Sequence, residues 1–396
     1  MFRRVYLDNA ATTPVDANVF EAMKPFLTAK FGNPSSIHFY GQEARASVDR
    51  ARHQTASLLN ANPREIVFTS GGTESNNLAI RGLRERSSPN GGHIVTSAIE
   101  HPAVLETCRK QAKKGCGLTV VDVGENGIVD IDAIKAAITA DTFLVTVMTA
   151  NNEIGTIQPV REIGRHVREL RESGQKIWFH TDAVQAAGKI PVDVDEIGCD
   201  LLSISGHKIY GPKGIGALFV RRGARLEAQN LGGHQERETR GGTENVANIV
   251  ALGEACAIAE DDFEESAKKT GALRREFEEF VLGTIPDTLL NGDAERRLPN
   301  ISNISFEGVE GEGLLINLDM LGVAVSTGSA CSSGSIDPSP VILALGRRDG
   351  MARGAVRFSF GRFNTEEDLE YVKEMVPRAV ENLRKLSPRY QSAPGS

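Results

Sequence analysis

The chain predicts an α/β fold in which a mostly parallel central sheet, flanked by helices, is joined to a smaller α+β unit. Three observations carry that expectation. Short apolar runs rich in β-branched residues recur between Glu65 and Arg222, most gaps between them show helical spacing, and the pattern changes after about Val246. Strand candidates lie at 66–69, 93–97, 118–123, 142–149, 176–180, 201–205 and 216–220. Helix candidates between them lie at 73–86, 102–114 and 160–172. Near-continuous apolar strands alternating with helices are the mark of βαβ units whose sheet is covered on both faces. From Val246 a helical stretch runs to about Leu282, followed by strand candidates at 301–306, 323–327 and 356–360. A last amphipathic helix opens at Thr365-Glu366-Glu367-Asp368, a capping residue with an acidic first turn, and runs to about Leu386. The division expected from this pattern is a large domain over 15–260 and a small one built from 1–14 and 261–396.

Composition excludes several function classes. With 396 residues, 40% hydrophobic and 24% charged, the chain has the make-up of a globular protein with a large core. Its net charge of −7 argues against non-specific binding to nucleic acid or to anionic membranes. No apolar run approaches the ~20 residues a membrane span needs. Arg3 and Arg4 are not followed by the apolar region of a signal peptide. The five cysteines, Cys108, Cys116, Cys199, Cys256 and Cys331, form no CxxC pair and no metal-ligand spacing, so no metal site is expected. An odd, scattered count fits reduced thiols in a cytoplasm.

Parallel sheets bind ligands beyond the carboxyl ends of their strands, and here those ends carry unusual residues. Ser205-Gly206-His207-Lys208 closes the 201–205 run. A lysine there is costly to desolvate, and desolvation favours the neutral amine that forms Schiff bases with carbonyl cofactors. The alternative is a surface lysine after a strand. Ser70-Gly71-Gly72-Thr73 leads straight into a helix, which gives either a phosphate cradle or a plain glycine turn with a cap. His101, in Glu100-His101-Pro102, could stack on a flat ring or sit on the surface at a helix start. Asn151-Asn152-Glu153 is either a turn or a set of ligand donors and acceptors. Asp182, beyond the 176–180 run, needs a cationic partner if buried, and a protonated pyridine nitrogen is one; otherwise it caps a helix. Five successive strand ends bearing Gly/Thr, His, Asn, Asp and Lys together describe a site for pyridoxal 5′-phosphate (PLP).

The motifs that carry a family resemblance run nearly end to end. They are Tyr6-Leu7-Asp8-Asn9-Ala10-Ala11-Thr12-Thr13-Pro14, Phe31-Gly32-Asn33-Pro34-Ser35-Ser36, Glu100-His101-Pro102 and Asn151-Asn152-Glu153-Ile154-Gly155. His180-Thr181-Asp182-Ala183-Val184-Gln185, Ser205-Gly206-His207-Lys208, Gly232-Gly233-His234-Gln235-Glu236 and Arg240-Gly241-Gly242-Thr243-Glu244-Asn245 follow. The most specific is Ser326-Thr327-Gly328-Ser329-Ala330-Cys331-Ser332-Ser333-Gly334. On these the chain resembles the NifS/IscS-type cysteine desulfurases, which are class V aminotransferases of PLP fold type I, and its cysteine segment is similar to that of the family's first group.

The resemblance implies a set of roles. Lys208 would hold PLP as a Schiff base and move the substrate Cα proton, and His101 would stack on the ring and assist. Gly72, Thr73, Ser205 and His207 would contact the phosphate, as would Thr243 from a second subunit, which implies a homodimer. Asp182 would pair with the ring nitrogen and Gln185 with the ring hydroxyl. Asn152 and Arg357 would grip the carboxylate of L-cysteine; by alternation alone, Arg357 reads as the exposed position of a strand. Cys331, among small polar neighbours, would take the sulfur as a persulfide, releasing L-alanine, and pass it to an acceptor such as an iron–sulfur scaffold protein. Lys213, in a Gly-Pro-Lys-Gly turn, is the rival for the cofactor lysine. Rival readings of the whole chain are a selenocysteine lyase-like enzyme of the same PLP branch and a non-catalytic partner-binding subunit.

Overall fold

The computed structural model describes residues 3–328, 338–387 and 390. Twelve strands are present among them: β1 Val5–Tyr6, β2 Ile66–Thr69, β3 His93–Ser97, β4 Gly117–Val121, β5 Thr142–Thr146, β6 Trp178–Asp182, β7 Leu201–Ser205, β8 Gly216–Val220, β9 Thr288–Leu290, β10 Ile301–Phe306, β11 Val323–Ala324 and β12 Ala355–Ser359. Seven form one sheet in the order β2-β8-β7-β6-β5-β3-β4. β4, β3, β5, β6 and β7 run parallel, while β8 is antiparallel to both β7 and β2. β2 therefore points the same way as the parallel set. Every residue of β2, β5 and β7 is buried, which is why these strands read as unbroken apolar runs.

Helices complete the layers. The helix Phe39–Leu58 packs along Val246–Asp261 on one side of the sheet. Beyond them β10 pairs antiparallel with both β9 and β12, and β1 pairs parallel with β11. Val5 and Leu7 join a second apolar cluster with Phe277, Phe306, Phe358 and Val376. Phe277 lies 4.6 Å from Phe358 and 5.8 Å from Phe360, ring centre to ring centre.

Several expected boundaries shift for visible reasons. The stretch 246–282 is two helices, Val246–Asp261 and Phe263–Thr284, broken at Asp262, whose carboxylate pairs with Arg362 at 3.2 Å. The 73–86 helix begins at Gly72 and contains a π-turn at Leu78–Gly82. β6 extends to Asp182, so that residue ends the strand rather than following it. The terminal helix Glu366–Leu386 keeps its capping box, with Thr365 and Asp368 bonding reciprocally.

Candidate active site

β2, β3, β5, β6 and β7 end at one edge of the sheet, and a cavity of about 330 Å³ opens there. This volume is within the range of small-molecule sites. Its lining includes Gly72, Thr73, His101, Asn152, Asp182, Gln185, Ser205, His207, Lys208 and Arg357. Of the expected site residues, Thr243 lies elsewhere, in a neighbouring hollow with Ser70, Arg240 and Glu244. Cys331 lies outside the described residues. Gly328, which precedes it in sequence, lines the cavity. Lys213 is exposed and does not line it.

The glycine turn after β2 is built for close approach. Gly71 has φ +149°, a conformation that side chains disfavour, and a Cβ on Gly72 would fall 2.7 Å from a methyl group of Val184. At the end of β6 the Asp182 carboxylate accepts from Asn76 Nδ2 at 2.6 Å and from the Val184 N–H at 2.9 Å. No helix follows, so Asp182 makes an Asx-turn rather than a helix cap. Gln185 Nε2 donates to Ala10 O at 2.9 Å, whereas its buried Oε1 has no donor among the described residues. A short 3₁₀ turn, Gly206–Lys208, carries the lysine away from β7. Its Nζ donates to Ala10 O and Ala11 O, each at 2.6 Å. The N-terminal segment thus supplies the acceptors that a cavity-facing ammonium needs.

Both histidines lean toward the neutral form. His101 begins the helix Pro102–Ala112, and its Nδ1 accepts from Ala103 N at 3.1 Å. Burial lowers its pKa, with Asp182 opposing and Lys208 adding to the effect. His207 is pushed down to about 4, chiefly by burial and then by Lys208. Its Nδ1 lies 3.2 Å from Thr12 Oγ1.

The polar cluster after β5 divides its work. Asn151 is a structural staple: its Nδ2 donates to Ile99 O, and its Oδ1 accepts from the N–H groups of Glu153 and Ile154. Asn152 faces the cavity, and its carbonyl accepts from Arg357 Nη1 at 2.8 Å. Arg357 is 2% exposed, not on an outward face. Its Nη2 pairs with Asp8 at 2.8 Å, and its buried Nε has no acceptor among the described residues.

Sequence reasoning missed Asn76 and Glu100 as contributors. Asn76 stands four residues beyond Gly72 on the same helical face, a spacing that could have signalled it. Glu100 is 4% exposed, and its Oε1 accepts from Ser97 Oγ at 2.6 Å and Met148 N at 2.9 Å. Burial pushes its carboxyl up to about 8.

These residues suit PLP on their own chemistry. The cavity offers an amine, a held carboxylate near it, an amide oxygen awaiting a donor, and a glycine-lined helix start whose free N–H groups suit a phosphate. No group of three His, Cys, Asp or Glu side chains among the described residues could hold a metal, and no described helix is long and apolar enough to cross a membrane.

A fold of this kind with this cavity has known counterparts. Residues 5–372 match the aminotransferase class-V family, and the chain belongs to it. Enzymes of this family that act as NifS/IscS-type desulfurases depend on PLP. The chain is similar to a cysteine desulfurase IscS of Dictyoglomus turgidum, 49% identical over 99% of this chain and 98% of the relative. It is 46% identical to a human cysteine desulfurase, covering 99% of this chain and 85% of that one. Among solved structures, a NifS-like protein superposes with a TM-score of 0.87 at 36% identity, covering 97% of this chain and 99% of the other. SspA in complex with cysteine does so with a TM-score of 0.80 at 38% identity, covering 92% and 100%.

Glu100 generates a prediction about stability. A carboxyl whose pKa is raised on folding stabilises the fold fully below its ordinary value of 4.5, and the contribution is lost as pH rises through about 8. Glu100→Gln, neutral throughout, should lose less stability than wild type between about pH 5 and 9, read from denaturant midpoints. Equal losses in the two proteins would contradict an unionised Glu100.

Proposed function

We propose that the protein is a PLP-dependent cysteine desulfurase, which converts L-cysteine to L-alanine and leaves the sulfur as a persulfide on Cys331. The observation that carries this is the single cavity combining Lys208, Asp182, His101 and Arg357 in a chain so similar to proteins named cysteine desulfurase. PLP, when bound, supplies an electron sink that lets the substrate Cα lose its proton and weakens the Cβ–sulfur bond.

The protein's own residues do the rest. Lys208 would be the residue that anchors the cofactor, and its amine would accept and return the Cα proton at Nζ. The carbonyls of Ala10 and Ala11 give that amine a resting place. His101, with Nδ1 engaged by Ala103 N, exchanges protons through Nε2 and presents a flat neutral ring. Asp182, fixed by Asn76 and the Val184 N–H, holds the proton on the ring nitrogen as an ion pair. Gln185, whose buried Oε1 has no donor among the described residues, would hold the ring hydroxyl, and Gly72, Thr73, Ser205 and His207 would hold the phosphate. Asn152 and Arg357 hold the substrate carboxylate; Asp8 fixes one edge of the guanidinium, so its remaining N–H groups have a set direction.

Cys331 is the sulfur acceptor. Its thiolate attacks the substrate sulfur, the Cβ–S electrons remain with the carbon fragment, and a proton delivered to Cβ completes alanine. The balance is one cysteine and one thiol in, one alanine and one persulfide out. The other four thiols are poor candidates: Cys108, Cys116, Cys199 and Cys256 are all buried, and burial pushes each pKa up, Cys256 to about 12.

The wider reading follows. A large domain over 15–260 and a small one of 1–14 and 261–396 are supported by the main sheet lying within 66–220 and by the cluster of Val5 and Leu7 with 273–380. A homodimer in which Thr243 of one copy completes the phosphate site of the other is supported by the absence of Thr243 from the lining of its own cavity. Ile37, Phe39 and Phe31 are also well exposed nearby in sequence to the Arg45–Glu244 pair, and a second copy would cover them. The persulfide would pass to an acceptor protein such as an iron–sulfur scaffold, and buried reduced thiols fit a cytoplasmic setting.

Two experiments test this. Cys331→Ser should keep a visible cofactor band that changes on adding L-cysteine, yet form alanine and sulfide more than about a hundredfold more slowly. A variant that keeps most of the rate, while Cys116→Ser loses it, would overturn the assignment. For the dimer, sedimentation should find two chains, with activity per chain falling on dilution; a fully active monomer would contradict it.

A further inference from the structure

Lys208 also lines a second cavity, of about 30 Å³ and large enough for one or two waters. Its lining includes Lys189, Lys208, Tyr210, Asp262, Asn300 and Arg362. Lys189 has no part in the proposed chemistry, yet its placement is specific. The chain turns at Gly188 with φ +70°, where a Cβ would lie 3.0 Å from Ala259 Cβ and 3.1 Å from Ile209. The next side chain then runs beneath the two segments that approach the cofactor region. Lys189 Nζ donates to Gln185 O at 3.1 Å and to Lys208 O at 3.2 Å.

These bonds close a ring. Gln185 donates from its side chain to Ala10 O, and Lys208 Nζ donates to the same carbonyl. The segments after β1, β6 and β7 are thereby linked through four residues. One side of the ring is conditional. A Schiff-base nitrogen carries at most one hydrogen, so Lys208 cannot keep both its bonds, to Ala10 O and Ala11 O, once it is covalently engaged. The Lys189 bonds go to main-chain carbonyls and do not depend on that change.

We propose that Lys189 is a positioning residue for the cofactor lysine: it ties the Lys208 peptide to the Gln185 peptide, and its charge opposes a proton on the Lys208 nitrogen. The inference rests on the desulfurase reading only in taking Lys208 as the cofactor anchor. The charged and titratable groups around Lys189 are Lys208 and His207 on the 3₁₀ turn, Tyr210 beyond it, and the Asp262–Arg362 pair. Burial pushes the Lys189 ammonium down to about 7, with Lys208 adding to the effect. Burial acts on Lys189 throughout, and the opposition from Lys208 falls away only while the linked Lys208 nitrogen carries no proton, so a charge on Lys189 and a proton on that nitrogen disfavour each other. A cation so placed lowers the pKa of the linked nitrogen.

The test is a spectral titration of the visible cofactor band in wild-type holoenzyme and in Lys189→Arg, Lys189→Met and Lys189→Gln. The midpoint should rise by at least about half a pH unit in the two neutral variants and stay within about 0.2 in Lys189→Arg. Lys189→Gln keeps an amide donor and decides the matter where Lys189→Met fails to fold. Loss of the band from the neutral variants, with Lys189→Arg retaining it, also supports the tie. An unmoved midpoint in Lys189→Gln, or Lys189→Arg behaving like the neutral variants, overturns it. A wild-type protein with no visible band would remove the cofactor reading instead.

Discussion

The shared direction of β2, β3, β5, β6 and β7 is the constraint on which the site depends. Because these strands finish at the same edge, the residues that follow them converge on one cavity, although they are spread over more than a hundred positions in sequence. Convergence alone would be unfavourable, since it brings charged groups out of water. Each has its compensation. Asp182 is held by Asn76 and the Val184 N–H, Lys208 by the carbonyls of Ala10 and Ala11, and Arg357 by Asp8 and Asn152 O. Three of these six partners belong to the segment 8–11, which enters between the main sheet and the β10–β12 sheet; Asp8 bridges to Ser359 in the latter.

Burial then sorts the titratable groups. His101 and His207 are driven toward neutrality and Glu100 toward its protonated form, while the carboxylate of Asp182 keeps two donors. The cavity therefore sets a carboxylate at the end of β6, a lysine after β7 and a guanidinium on β12 beside imidazoles that burial drives toward neutrality. That distribution suits a zwitterionic cofactor and an amino-acid substrate, with neutral imidazoles to carry protons between them. Glu153 marks the other boundary of the site. Its carboxylate accepts from Ser339 Oγ at 2.5 Å and approaches Gly328, so it touches the described residues on both sides of the cysteine-bearing segment.

Much of this was legible in the sequence because strands of a sheet covered on both faces are largely apolar, whichever way they run. β2, β3, β7 and β8 match their expected ranges for that reason. β1 and β9 were not legible: two or three residues carry no periodicity, and β1 pairs with β11 across most of the chain. The break at Asp262 was hidden because helical spacing continues through it. At the site, glycines and charged residues at strand ends stood out by being costly there. Arg357 did not, because alternation suggests an outward face and only the pairing with Asp8 and the approach of Asn152 explain its burial. Of the supporting residues, Asn76 had only its spacing from Gly72 to signal it, while Glu100 and Lys189 touch other side chains or carbonyls through contacts that have no local signature.

The central claim is that this edge of the sheet places one particular amine against a carbonyl cofactor. Borohydride reduction of the PLP-loaded protein, followed by peptide mapping, tests it most directly. The account predicts pyridoxyl-lysine at Lys208, in the cavity and opposite Asp182. Label at the exposed Lys213, or at no lysine, would contradict it.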